Sequence, residues 1–173
     1  MARQLRDTSE LLSAIEREWQ LLVQVAQTLS DEQMRTPDAG GWTPQDNLSH
    51  VAEWMKILLG YHLSGRPAHK VIGVSEEVAR GWDMEVITPI PLERNRLRTR
   101  REAMTDLRRT YRRLVSRLTA MPFEDLLAPR KGAGPGGRPV LRAVMDDTVD
   151  HFREHRLTIE RAVGRSSNHR VVG

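Results

Sequence analysis

The chain has 173 residues, 39% hydrophobic and 29% charged, with a net charge of +4, the composition of an ordinary soluble globular protein with one core. It has no cysteine, which excludes disulfides, thiolate metal sites and a cysteine nucleophile and leaves histidine and carboxylates as ligands. No apolar run reaches the roughly 20 residues that span a bilayer, and residues 1–10 lack the apolar stretch of a signal peptide, so a cytoplasmic location is expected.

Helical periodicity dominates the chain. Over 8–29, Leu12, Ile15, Trp19, Leu22, Ala26 and Leu29 follow a three-four spacing, with Thr8 placed as the N-cap. A second stripe over 44–63 comprises Leu48, Val51, Met55, Leu58 and Leu59. Thr43 is its cap, Pro44 its first helical residue, and Asp46 lies near the positive end of the dipole. A third helix is predicted over 100–120, where Thr99 and Glu102 have capping-box spacing and Met104, Leu107, Tyr111, Leu114, Leu118 and Met121 form the seam. The fourth is predicted over 140–163, with Leu141, Met145, Thr148, Phe152, His155, Ile159 and Ala162 as its stripe. Strand signals are absent apart from the ambiguous 71–74.

These elements predict an all-α fold, a four-helix bundle over 1–164 with a long crossover between helices 2 and 3 and a flexible tail over 165–173. The crossover, 65–92, is expected to carry one short helix over 75–86 and to cover one end of the bundle. The stretch 129–139 holds four glycines and reads as a mobile loop. Residues 29–37 and 121–129 echo each other, each following a long helix, ending in proline and leading to a histidine-bearing helix, as two related hairpins would.

His151 and His155 stand at i and i+4, which puts both imidazoles on one helix face within reach of one metal ion. His50, on a partner helix, completes a three-imidazole set of the kind that leaves coordination positions open. Around these, Asp46, Asp150 and Glu154 are candidates to orient ligands, and Trp42, Trp54 and Trp82 to wall a pocket, although dipole complementation, solvent exposure and core packing account for them at least as well. His62, His69 and His169 are weaker candidates. Arginines are dense at 94, 96, 98, 100, 101, 108, 109, 112 and 113, but they alternate with the apolar seam as a solvated face does, so nucleic acid is not expected as a partner.

The stretch Gly41-Trp-Thr-Pro-Gln-Asp-Asn-Leu-Ser-His50-Val-Ala-Glu-Trp54, with Asp150-His151-Phe-Arg-Glu-His155, resembles the DinB-like (YfiT-like) metal-binding four-helix-bundle superfamily. The middle, Gly81-Trp-Asp-Met-Glu-Val86 followed by the arginine-rich helix, is similar to its ClbS/DfsB branch. The resemblance implies one divalent metal ion, zinc or nickel above others, on His50, His151 and His155, and often a homodimer. It also implies metal-dependent hydrolysis, or transfer or isomerisation with a low-molecular-weight thiol, and in the ClbS/DfsB branch protection against a reactive genotoxin. A metal on three neutral imidazoles would lower the pKa of a bound water toward about 7, or activate a thiolate, for attack on an electrophilic small-molecule substrate. The alternatives are a protein that binds or sequesters a metal or ligand without turnover and, last, an arginine-rich nucleic-acid module.

Overall fold

The computed structural model describes residues 5–130 and 137–169, with the side chains of 165–169 left out. The described residues are all-α, and two prolines, Pro129 and Pro139, form an isolated antiparallel bridge. The glycine-rich loop expected between those prolines lies, over 131–136, outside the described residues. The tail expected over 165–173 is only partly outside them: the final helix is described as far as His169.

The long segments are α1 (Thr8–Thr28), α3 (Pro44–Ile57), α8 (Arg100–Thr119) and the run α10 (Val140–Met145) to α11 (His151–His169). Between α1 and α3 lies α2 (Asp31–Arg35), and between α8 and α10 lies α9 (Phe123–Leu127). These two single turns are the paired echoes read in the sequence. Capping follows the residue types. Thr43 and Thr99 each complete a capping box, with Asp46 and Glu102 at the third helical position. The first helix is capped by Asp7 rather than Thr8: the Asp7 carboxylate accepts from the Glu10 amide at 2.9 Å, and Thr8 is already helical.

Helix α3 packs chiefly on α8 and also on α11, while α1 packs on α11 and α8. One core cluster joins them, including Leu22, Leu48, Leu107, Leu114 and Phe152, all inaccessible to solvent. Trp19 stacks flat on Tyr111 with centroids 3.8 Å apart, and Phe152 tilts against both rings, which ties α1, α8 and α11 at one point.

The crossover holds four short helices rather than one: α4 (Ala68–Ile72), α5 (Glu76–Gly81), α6 (Met84–Ile87) and α7 (Pro89–Asn95). The ambiguous 71–74 stretch falls at the end of α4, where Gly73 takes a φ of 80° to cap it. Ile57, Ile72 and Ile87 form a second, smaller core here, with Trp54 and Trp82 packed against it. Gly60 allows the close approach of α4, since a Cβ at that position would stand 2.8 Å from a Val71 methyl.

An ionic knot fastens the crossover and α8 to α3. Lys56 Nζ contacts Glu53 at 2.8 Å and Asp106 at 2.6 Å. Arg98 and Arg109 add contacts to Asp106 at 2.8 and 3.0 Å, and Arg94 and Asn95 reach Glu53 at 3.2 and 3.0 Å. Burial alone would raise the Asp106 carboxyl, but these cations outweigh it and hold it down at about 2.

The fourth helical run departs from its expected register. Val140 and Val144 are buried, whereas Leu141 and Met145 are only partly so. A π-helical turn, Asp146–Asp150, then inserts an extra residue, and burial resumes at Thr148, Val149, Phe152 and Ile159. A uniform 3.6-residue stripe drawn back from Phe152 therefore lands on the wrong residues before the bulge.

Leu114, fully buried at the centre of α8, tests this packing. Leu114→Ala is expected to cost about 2–5 kcal/mol, read as a lower denaturation midpoint at unchanged m-value.

Candidate metal centre

His50 is presented by α3, and His151 and His155 by the first turns of α11. One ligand nitrogen from each lies within 4.8 Å of the other two, and among the described residues this is the one group of three or more that could hold a metal. The Nε2 atoms of His151 and His155 are 2.9 Å apart.

The tautomer of His155 follows from a short chain of bonds. The Thr43 carbonyl can only accept, so Asn47 turns its Nδ2 toward it, at 2.9 Å. The Asn47 oxygen then faces His155 Nδ1 at 2.7 Å, and that nitrogen must carry the proton. The Nε2 lone pair is left facing the His151 ring. His151 Nδ1 is buried without a hydrogen-bond partner. A proton or a cation between the two Nε2 atoms relieves their lone-pair repulsion, and three neutral imidazoles form the donor set a borderline divalent cation takes. The residues present therefore fit such an ion.

The surroundings keep the rings uncharged. Burial is the main cause of every shift. It lowers His50 to about 3, with His155 adding to the effect, and His155 to about 4. It holds His151 well below the ordinary histidine range. Trp42 meets the His50 edge at 5.3 Å between centroids and lies over His155 at 6.4 Å, and Trp54 stands 6.0 Å from His50 and 6.2 Å from His151. The two indoles thus stand against the histidine rings. Trp82 does not; it packs on Tyr61 in the crossover core, 5.2 Å between centroids.

The carboxylates fall elsewhere. Asp46 Oδ2 accepts from the Thr43 amide at 2.9 Å and the Thr43 hydroxyl at 2.7 Å, so it serves the helix cap, and the residue that orients the His155 ring is its neighbour Asn47. Glu154 is exposed and has no hydrogen bond to the cluster among the described residues. Asp150 is exposed and pairs with Arg153 at 3.5 Å. Sequence reasoning passed over Asn47, although its place three residues before His50 on the same helix marks it for that face. Asp147 lies four residues before His151, in the π-helical turn. Burial first, and the Asp146 charge second, push Asp147 up to about 7.

Two outcomes follow from this geometry. Asn47→Ala frees the His155 tautomer and is expected to weaken zinc binding to the apoprotein about 10–100-fold, read by calorimetry. The lowered histidines carry a pH signature of definite sign. Above the unfolded value of about 6.5 both states leave them neutral, while below it the unfolded chain takes up protons that the folded chain refuses. Apoprotein stability is therefore expected to fall progressively as pH drops from about 6.5 toward 4, and to regain its ground in that window in the His50→Gln/His151→Gln/His155→Gln variant, as urea denaturation at several pH values would show.

Comparison with known proteins gives a consistent picture. Solved structures align along nearly the whole chain: DfsB, described as a sibling lethal factor precursor, at 18% identity and a TM-score of 0.78, covering 94% of this chain and 98% of its own. A Streptococcus pneumoniae protein aligns at 14% identity and 0.74, covering 93% and 92%. The colibactin self-resistance protein ClbS, solved in complex with double-stranded DNA, aligns at 13% identity and 0.63, covering 92% and 96%. A search among curated proteins returns no match. At these identities the structures speak for the fold, with DfsB and ClbS matching the branch read from the sequence, and a family model matches residues 14–159. The chain belongs to the DinB superfamily.

Proposed function

We propose that His50, His151 and His155 hold one divalent metal ion, zinc or nickel, and that the protein uses it to act on a reactive or toxic small molecule, by hydrolysis or by transfer to a low-molecular-weight thiol. The observation that carries this reading is the bond from His155 to Asn47, which fixes the protonated nitrogen on the far side of the ring and leaves the near one free, within 4.8 Å of the other two donors. When bound, such an ion supplies a Lewis acid and lowers the pKa of a hydroxyl or thiol nucleophile.

The chain's own residues supply the rest. Burial keeps the three imidazoles neutral, so no proton competes for their lone pairs at physiological pH. Trp42 and Trp54 exclude water from two sides of the cluster. That ClbS is a self-resistance protein supports a protective role.

A second reading, binding without turnover, is favoured by the placement of the carboxylates: Asp46 is committed to the helix cap and Glu154 is exposed. Metal analysis of the untagged protein is expected to find about one equivalent of a transition metal, lost in His151→Ala/His155→Ala. The loaded protein is then offered epoxides, strained rings, esters and thiol acceptors. Turnover by the loaded protein, lost in His151→Ala/His155→Ala, is the expected result. Metal retained with no turnover on any substrate class leaves the sequestering reading in its place, and no metal in any preparation overturns both.

A further inference from the structure

A second feature lies on another face of α3. Lys56 is six residues beyond His50, which turns it about 120° around the helix axis, away from α11 and toward α8. From there an open groove of about 910 Å³ runs between the end of α3, the start of the crossover and the C-terminal half of α8. Its cationic residues are Lys56, Arg66, Lys70, Arg112, Arg113 and Arg117, and no carboxylate lines it. Arg66, Lys70, Arg112 and Arg113 are exposed and make no ion pair among the described residues.

The charge is concentrated rather than spread. Helix α8 alone carries seven arginines against two carboxylates, a local +5 in a chain whose total is +4. One of those carboxylates, Asp106, is buried in the ionic knot, where three cations surround it. The knot therefore adds positive charge beside the groove instead of cancelling it. Gathering unpaired like charges on one face costs self-repulsion and brings no fold stability, so an external polyanion is what it suits.

The shape selects among polyanions. The twenty residues of α8 span about 30 Å, close to one turn of duplex DNA, and exposed arginines recur along that length at 101, 108, 109, 112, 113 and 117. A compact phosphate would need a closed cradle, whereas this groove is long and open. The lining contains no aromatic ring on which unpaired bases could stack. We propose that the groove between α3, the crossover and α8 is a docking face for the phosphate backbone of duplex nucleic acid, bound without regard to sequence.

The test is anisotropy of a labelled 25-base-pair duplex titrated with the full-length protein at several salt concentrations. The four unpaired cations, Arg66, Lys70, Arg112 and Arg113, set against phosphates predict a log K versus log salt slope of about −4. Arg112→Ser/Arg113→Ser and Arg66→Ser/Lys70→Ser are each expected to weaken binding at least tenfold and to flatten the slope by about 2, with helicity unchanged. Arg142→Ser, at an exposed ion pair with Asp146 outside the groove, should leave binding as it is. His151→Ala/His155→Ala should also bind normally, so this proposal and the metal reading stand or fall separately. Binding that is absent, indifferent to salt, or unmoved by the groove variants overturns it. So does equal affinity for inorganic pyrophosphate, which would make this a compact anion site, or a preference for phosphatidylserine vesicles, which would make it a membrane-facing surface.

Discussion

Helix α3 is enclosed on nearly every side, and the rest of the molecule is arranged around that constraint. Ten of its fourteen residues are buried, so it has no broad polar face to give to water. Its apolar positions go to the common core, but Asn47, Glu53 and Lys56 also lie in contact with neighbouring helices and must be satisfied there. They are satisfied in opposite directions. Asn47 bonds across to His155 on α11, while Glu53 and Lys56 bond to α7 and α8. A rotation of α3 about its axis would break both sets together. The histidine cluster and the ionic knot therefore fix each other's register through a single rigid element.

Most of the long-helix framework was legible because it rests on local rules. The seam of α8, the Thr99–Glu102 capping box and the Thr43 cap lie where spacing and cap chemistry put them. The approach of His151 and His155 was legible for the same reason, since an i, i+4 histidine pair has one geometric meaning on a helix. What escaped the sequence was non-local or depended on an inserted residue. The crossover's four short helices are held by a small core of three isoleucines drawn from separate segments, which no single window reveals. Asp46 and Asn47 are adjacent candidates, and only the position of the Thr43 hydroxyl and of His155 decides that one caps while the other orients a ring. The π-turn before His151 has no periodic signature of its own and shows only as a broken one.

That π-turn is also where the helix becomes able to serve the site. An unbroken α-helix from Val140 would keep one stripe facing the core throughout, set by Val140 and Val144. Adding one residue rotates everything after it by about 100°. The rotation lets Phe152 fill the core against Trp19 while His151 and His155 on its two sides still face α3. It also leaves Asp147 half-buried in a turn whose neighbours are carboxylates, which is why that group, unlike Asp106, rises toward neutrality. Two buried acids in one small fold are thus driven apart, Asp106 downward by the cations gathered on it and Asp147 upward by burial without them. The first stays charged to hold helices together, and the second is the more readily protonated of the two.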